Sequence, residues 1–325
     1  MYKTLDQNDL TLINELFDEK DITLKDAIQE DFIHDELGTV SGIPDVHLYA
    51  RNKDQIAALM KHAHEEKIAV TVRGSGTGLV GGSVSVAGGI LLDTSKMNKI
   101  LELDKTNLTL RVQPGVLLLD IYEYVEKEGL FYAPDPGEKT ATIGGNISTN
   151  AGGMRAIKYG VTRDWVRGLE VVIPTGETLT LGGKVVKNST GYALKDLMIG
   201  SEGTLGIITE ATLKLIPKPK AQLSMLMPFN SKEAAIKAAP KLIMNHVVPT
   251  ALEYLESEAI KHSESFLGKS IPHNTYPAYL LVSYDGNTIE SVKEDYEAAS
   301  ELCINEYDAV DSYLIDTDER HLSVW

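Results

Sequence analysis

VRGSGTGLVGGS, residues Val72–Ser83, follows a β-branched segment, Ile68–Val72, that reads as a strand. Glycine has no Cβ and tolerates φ > 0, so a strand running into such a loop can turn several backbone N–H groups toward one anion. Gly76-Thr-Gly78-Leu-Val-Gly81 also satisfies the G-x-G-x-x-G spacing of a dinucleotide fingerprint. That fingerprint works by delivering a pyrophosphate to the N-terminus of the helix that comes next. Here the chain continues GGSVSVAGGILLD, in which no helix can be read, and Asp93 stands at roughly the ribose-binding distance in the wrong context. No G-K-[ST] follows either, which removes the P-loop reading. Two later stretches, TIGGNISTNAGG (Thr142–Gly153) and GSEGTLG (Gly200–Gly206), repeat the composition with Ser, Thr and Asn interleaved as side-chain donors. One such loop is an ordinary tight turn between strands. Three of them favour a large phosphorylated cofactor held from several sides.

The totals set the frame. At ~150 residues per domain, 325 residues suggest about two domains. A hydrophobic content of 43% is enough for packed cores, and 24% charged residues mark a globular chain. The net charge of −16 (31 basic against 47 acidic residues) disfavours nucleic acid and anionic membrane as partners. An anionic substrate stays open, because a local pocket can oppose the global sign. Cys303 is the only cysteine, so an intrachain disulfide and a four-thiolate iron–sulfur site are excluded within this chain. The N-terminus lacks the apolar core of a signal peptide, and no run approaches the ~18 apolar residues of a spanning helix. A cytoplasmic location is expected, with peripheral association through a membrane partner left open.

Along the chain, residues 4–17 read as an amphipathic helix, Val46–Ala50 as a strand and Lys53–Lys67 as a helix burying Ile56, Leu59, Met60 and Ala63. With Ile68–Val72 this gives βαβ-like order ahead of the first glycine loop. Gly89–Asp93, Lys99–Asp104 and Leu108–Gln113 read as strands, and Leu117–Glu128 as a helix stopped by Gly129. Val166–Ile173 and Glu177–Leu181 flank Pro174-Thr-Gly176 as a hairpin, and Ile207–Ile216 is a strand stopped by the PKPK run at Pro217–Lys220. That run sets the expected boundary between domains 1–218 and 219–325. In the second, Ser231–Asn245 and Ile289–Glu306 read as helices, Ala278–Tyr284 as a strand, and Ala251–Ser257 as strand or helix.

At these loops the sequence resembles the FAD-linked oxidases with a PCMH-type (vanillyl-alcohol oxidase-like) flavin domain. It looks closest to the branch of the glycolate oxidase FAD subunit and the D-lactate and D-2-hydroxyglutarate dehydrogenases. The matching stretches are VRGSGTGLVGGS (72–83), VQPGVLLLDI (112–121), APDPGEKTATIGGNISTNAGG (133–153), KYG (158–160) and NSTGYALKDLMIGSEGTLGIITEATLKL (188–215). The resemblance implies an α+β fold: a two-lobed PCMH-type FAD-binding domain followed by an α+β substrate or cap domain. It implies that Gly74, Ser75, Gly76, Thr77 and Gly78 cradle the pyrophosphate, with Ser83 close by. Pro136, Gly137, Thr142, Ile143, Gly144, Asn146, Asn150, Gly152 and Gly153 would line the ribityl chain and isoalloxazine. Glu202, Gly203, Gly206 and Ile207 would complete the adenine and ribose side. Amide dipoles alone can offset two phosphate charges, so no cationic cluster is required. Gly137-Glu138-Lys139 departs from the serine many relatives carry there. No histidine stands in the loops to tether the flavin, so the FAD is expected to be non-covalent.

The same resemblance places substrate chemistry downstream: an arginine segment after a tryptophan like Trp325, a histidine-rich stretch that binds a divalent metal in several members, and a returning C-terminal segment. None lies within these residues, and the second domain is expected to be incomplete at Trp325, since an interrupted sheet leaves an apolar edge. No metal site is expected in this chain. His62 and His64 sit two apart on a helix, where metal pairs prefer i, i+4, and His34, His47, His246, His262, His273 and His321 lack ligand spacing. Arg155, Tyr192 and Lys195 neighbour the loops, either touching substrate or bracing the backbone. No catalytic residue is assigned. The reading is an FAD-dependent dehydrogenase of a small D-2-hydroxy acid, D-lactate or glycolate. Electrons would pass to an electron-transferring flavoprotein, a quinone or an iron–sulfur subunit. The alternative is a non-catalytic FAD-binding subunit that scaffolds electron transfer; a flavin reductase of the cell-wall precursor type is weaker.

Overall fold

The computed structural model describes residues 2–268 and 274–315. His273, His321 and Trp325, with the expected interruption at the C-terminus, lie outside the described residues. The chain divides into two compact units: Met1–Gly152 with Val161–Ile216, and Gly153–Gly160 with the chain from Pro217 onward.

In the first unit, strands β1 (Ile22–Leu24), β2 (Val46–Tyr49), β3 (Val70–Arg73) and β4 (Ile90–Asp93) form one sheet in the order β1-β2-β4-β3. Strands β2, β4 and β3 are parallel, and β1 adds antiparallel to β2. The helices α1 (Gln7–Leu16) and α2 (Lys53–Glu66) cover one face, where Ile13, Ile56, Leu59 and Ala63 share a core with Val46, Leu48, Ile90 and Leu92. Both helices start on polar caps. Asp6 and Asp9 form a reciprocal capping box, and Asn52 accepts from Gln55 N. Lys67 ends α2 in the left-handed region at φ 59°, the position at which glycine is usual.

The second sheet of this unit contains β5 (Ile100–Asp104), β6 (Thr109–Val112), β8 (Val166–Val172), β9 (Thr178–Gly182) and β10 (Ile207–Lys214) in the order β5-β6-β10-β8-β9, antiparallel throughout. The two-residue strand β7 (Leu130–Phe131) follows helix α3 (Leu118–Glu126). Helix α4 (Ile143–Ser148) occupies the second glycine stretch, which sequence reading left as a turn; Thr142 caps it through Gly145 N. Val172 and Ile207 reach into the core of the first sheet, so one apolar cluster ties both sheets together. Helix α6 (Thr162–Trp165) and helix α7 (Leu194–Met198) complete this unit, while α5 (Ala156–Tyr159) belongs to the second.

After the short β11 (Ile216–Pro217), the second unit is a sheet ordered β13-β14-β12-β15, from β12 (Ala221–Phe229), β13 (Ala251–Glu256), β14 (Ala278–Gly286) and β15 (Tyr313–Ile315). Strand β14 is buried on both faces. Ala278, Leu280, Val282 and Tyr284 pack with buried residues of α8 (Lys232–Met244) and α10 (Ile289–Tyr307), while Tyr279 and Leu281 pack against Ile260 of α9 (Ser257–Leu267). The alternation follows the two-residue period of a strand. Of residues 251–257, open between strand and helix in sequence, Ala251–Glu256 form a strand because β14 offers them a partner edge, while Ser257 opens α9.

Candidate functional site

All three glycine stretches meet at one cleft of about 330 Å³ in the first unit. Strand β3 delivers the first loop at Arg73. A Cβ on Gly74 would lie 2.1 Å from Thr142 Oγ1, so only glycine lets this loop touch the cap of α4. Ser75 Oγ donates to Thr140 O at 2.7 Å, a second tie to the same stretch. The third stretch is drawn in from α4: Gly200 N donates to Ile147 O at 3.0 Å and Glu202 N to Ser148 O at 2.8 Å. It then meets the first, because a Cβ on Gly82 would stand 2.7 Å from Glu202 Oε2.

Donors accumulate on the first loop. Among the described residues, none of the N–H groups from Gly74 to Val80 finds a protein acceptor. Ser83 Oγ, on the cleft wall, is a buried hydroxyl with no partner. A buried hydroxyl normally pairs, so an unpaired one on the wall of a cleft, beside a loop whose N–H groups are free of protein acceptors, marks a ligand site. Arg73 adds what the dipole argument omitted, a cation. It is 6% exposed, lines the cleft, and its Nη2 lies 2.0 Å from where a Gly76 Cβ would stand. Burial lowers its pKa from the usual guanidinium value, while Asp93, Asp35 and Asp31 oppose that shift. A β-branched run followed by Arg-Gly was the available signal; the sequence places the end of the strand at Val72 and assigns Arg73 no role.

Of the residues expected at the cofactor, Gly74, Ser75, Gly76, Thr77, Gly78, Ser83, Pro136, Thr142, Gly144, Asn146, Gly152, Glu202 and Gly203 line this cleft. The others do not. Ile143 is fully buried, Ile207 belongs to the core, and a Cβ on Gly206 would lie 2.6 Å from Val171 Cγ1, which places all three on the packing side of their loops. Gly137 turns at φ 89° away from any neighbour, and Asn150, at φ 49°, accepts from Arg163 N at 2.9 Å. Gly153 falls in the second unit. Pro114, Thr94, Leu79, Gly145, Thr149 and Ile208 line the cleft without having been singled out.

The remaining candidates have structural partners or face solvent. Lys195 pairs with Asp196 at 2.5 Å, and the Tyr192 side chain is 93% exposed. Arg155 precedes α5 in the segment that joins the second unit. In that segment Lys158 Nζ donates to Asp285 O at 2.7 Å and to its carboxylate, and Tyr159 OH reaches both Asp285 oxygens at 3.0 Å. Burial and the Asp285 charge push the Tyr159 phenol well up. His62 pairs with Asp9 at 2.8 Å, and His47 makes tilted ring contacts with Phe32 and Tyr49. No group of three His, Cys, Asp or Glu side chains suited to a metal occurs among the described residues. No helix there is long and apolar enough to cross a membrane.

A flavoprotein of the PCMH type is the class that this fold and this donor-lined cleft define. Residues 44–182 match the FAD binding domain and residues 218–325 the FAD linked oxidases C-terminal domain. The chain belongs to the FAD-linked oxidases, and FAD is the cofactor its first domain is built to bind. It is 48% identical over 316 residues to a D-lactate dehydrogenase of Anaerostipes hadrus, covering 94% of this chain and 66% of the relative. It is 41% identical over 290 residues to the glycolate oxidase subunit GlcD of Bacillus subtilis (strain 168), covering 89% and 61%. Against the solved structure of an alkyldihydroxyacetonephosphate synthase the TM-score is 0.79 at 21% identity, over 96% of this chain and 61% of that one. Against p-cresol methylhydroxylase it is 0.79 at 18%, over 99% and 70%. These two establish a shared fold. The chain thus spans less than two thirds of the length of the curated relatives named here.

Proposed function

We propose that this chain carries the flavin half of a dehydrogenase that oxidises a small D-2-hydroxy acid, D-lactate or glycolate, to the 2-oxo acid. The observation that carries the reading is the run of unpaired N–H groups from Gly74 to Val80 beside the unpaired Ser83 hydroxyl. The similarity to a D-lactate dehydrogenase and a glycolate oxidase subunit supports the substrate class.

FAD, when bound, would supply the electron sink, taking the substrate Cα hydride at flavin N5 while a base takes the hydroxyl proton. The chain's own part is to hold that cofactor. Its amides and Ser83 Oγ receive the diphosphate, Arg73 offsets its charge from beneath the loop, and Val72, Pro114, Ala141 and Ile208 supply apolar wall. Among the described residues, no cysteine or histidine side chain lines the cleft, which supports non-covalent binding, and acid precipitation should release the flavin into the supernatant. The acceptor would be an electron-transferring flavoprotein, a quinone or an iron–sulfur subunit, and the setting cytoplasmic.

The deciding experiment is an anaerobic visible spectrum of the flavin-loaded protein before and after D-lactate, then glycolate. Bleaching by either acid supports a hydroxy-acid dehydrogenase. Bleaching by dithionite alone would overturn the catalytic reading for those acids and leave the electron-transfer scaffold.

A further inference from the structure

Between Ile33 and Gly42 the chain closes into a strap. Gly42 N donates to Ile33 O at 2.8 Å, and His34 and Ser41 form an antiparallel bridge. None of its residues lines the cofactor cleft, yet its polar groups grip the loop that does. Arg73, at the root of the loop, donates from Nη1 to His34 O at 2.8 Å and from Nη2 to Asp31 O at 2.7 Å. Glu36 N donates to the carbonyls of both Gly76, at 3.1 Å, and Gly78, at 3.2 Å. In a trans peptide plane the C=O and the following N–H point in opposite directions, and no cis bond occurs among the described residues. Holding the Gly76 and Gly78 carbonyls toward Glu36 therefore turns the N–H groups of Thr77 and Leu79 the other way. Both residues line the cleft.

Asp35 completes the arrangement. Its side chain is 2% exposed. One carboxylate oxygen accepts from Gly81 N at 2.7 Å and the other from Gly38 N at 3.2 Å. Gly81 sits at φ 80°, and its carbonyl accepts from Val84 N at 3.1 Å, closing the turn that carries the unpaired Ser83 hydroxyl. A buried carboxylate next to an anion site works against the ligand's charge. Here both of its oxygens are spent on backbone N–H groups, and the Arg73 guanidinium stands nearby as counter-charge.

We propose that Asp35 is a positioning residue that fixes the first glycine loop in the geometry of a diphosphate, and so selects a flavin dinucleotide over a flavin mononucleotide. The inference rests on the cofactor reading above and adds the element that sets its selectivity. The strap is the template, and the ordered amides are its consequence.

The test compares FAD and FMN binding, by flavin fluorescence titration, for the wild-type chain, Asp35→Ala and Asp35→Asn. Leaving the Gly81 and Gly38 N–H groups without their acceptor is expected to weaken FAD by about tenfold or more in Asp35→Ala. FMN, which lacks the diphosphate bridge, should change by less than about threefold. Asp35→Asn keeps one acceptor oxygen and should fall between, and it decides the matter if Asp35→Ala does not fold. The ³¹P resonances of bound FAD should move in Asp35→Asn. Equal losses for FAD and FMN would show a merely structural carboxylate and overturn the proposal, as would unchanged FAD affinity. A wild-type chain that binds no flavin would instead overturn the cofactor reading, and this one with it.

Discussion

Ser83 and Gly74 show how the same cleft is built from opposite demands. Ser83 Oγ is buried without a partner, which costs the flavin-free protein, since a desolvated hydroxyl without a hydrogen bond is unfavourable by ~1–3 kcal/mol. Ser83→Ala is therefore expected to leave the flavin-free protein as stable or more so by up to ~1 kcal/mol, while weakening FAD about three- to tenfold. Thermal melts with and without FAD read both signs at once, and a variant destabilised in the flavin-free form would contradict the assignment. Gly74→Ala acts the other way. Its Cβ would fall 2.1 Å from Thr142 Oγ1, so either the loop or the α4 cap must move, and FAD affinity should drop by more than about tenfold. These glycines were legible in sequence because a missing Cβ is visible in one letter. Arg73 was not, because its value comes from a loop that folds back over its own guanidinium.

At the scale of elements, the alternating and capped segments were readable and the partnered ones were not. Helix α2 shows its apolar stripe in sequence, and β8 and β9 flank a Pro-Thr-Gly turn. Strand β12, AQLSMLMPF, was passed over because it holds no β-branched residue, three of its positions are Met or Pro, and its identity comes from lying between β14 and β15. Helix α4 was hidden by its own glycines, which lower helix propensity, and is secured by the Thr142 cap and by Gly144 N donating to Pro114 O at 2.8 Å. Nor could sequence show β4 lying between β2 and β3. The link between the turn from β2 into α2 and the N-terminal region carries a pH prediction. Arg51 donates to both oxygens of Asp21, at 2.5 and 2.7 Å, and holds that buried carboxyl below its usual pKa. A depressed folded pKa stabilises the fold above the unfolded value of ~3.9 and loses that contribution as pH falls through the folded pKa. Asp21→Asn should thus be less stable than wild type at pH 7, and the gap should close on acidification below about pH 4. Urea midpoints measured across that range check it, and a gap that widens toward low pH would contradict the sign.

For the molecule as a whole, the division of labour follows the path of the chain. Every described residue lining the cofactor cleft lies in the first unit, although residues 153–160 leave that unit in mid-sequence and group with the second. The anchor is chemical: Lys158 and Tyr159 both bond Asp285 at the end of β14, and removing that carboxylate leaves the Lys158 ammonium and the Tyr159 hydroxyl without their acceptor, at a cost of ~1–3 kcal/mol. Asp285→Ala should accordingly destabilise the second unit and loosen residues 153–160 while the cleft keeps its donors. A protein cut to residues 1–216 makes the sharper case. It retains Gly74 to Val80, the strap that orients them, Ser83 and the loops carrying Thr142 and Glu202, so it is expected to bind FAD within about tenfold of the longer chain. Residues 153–160, deprived of Asp285, should become the first site of proteolytic nicking. Flavin retention together with early cleavage there would show that the cofactor site is a property of the first unit alone. Loss of the flavin with residues 153–160 still protected would show the reverse, that the loops owe their geometry to the second unit.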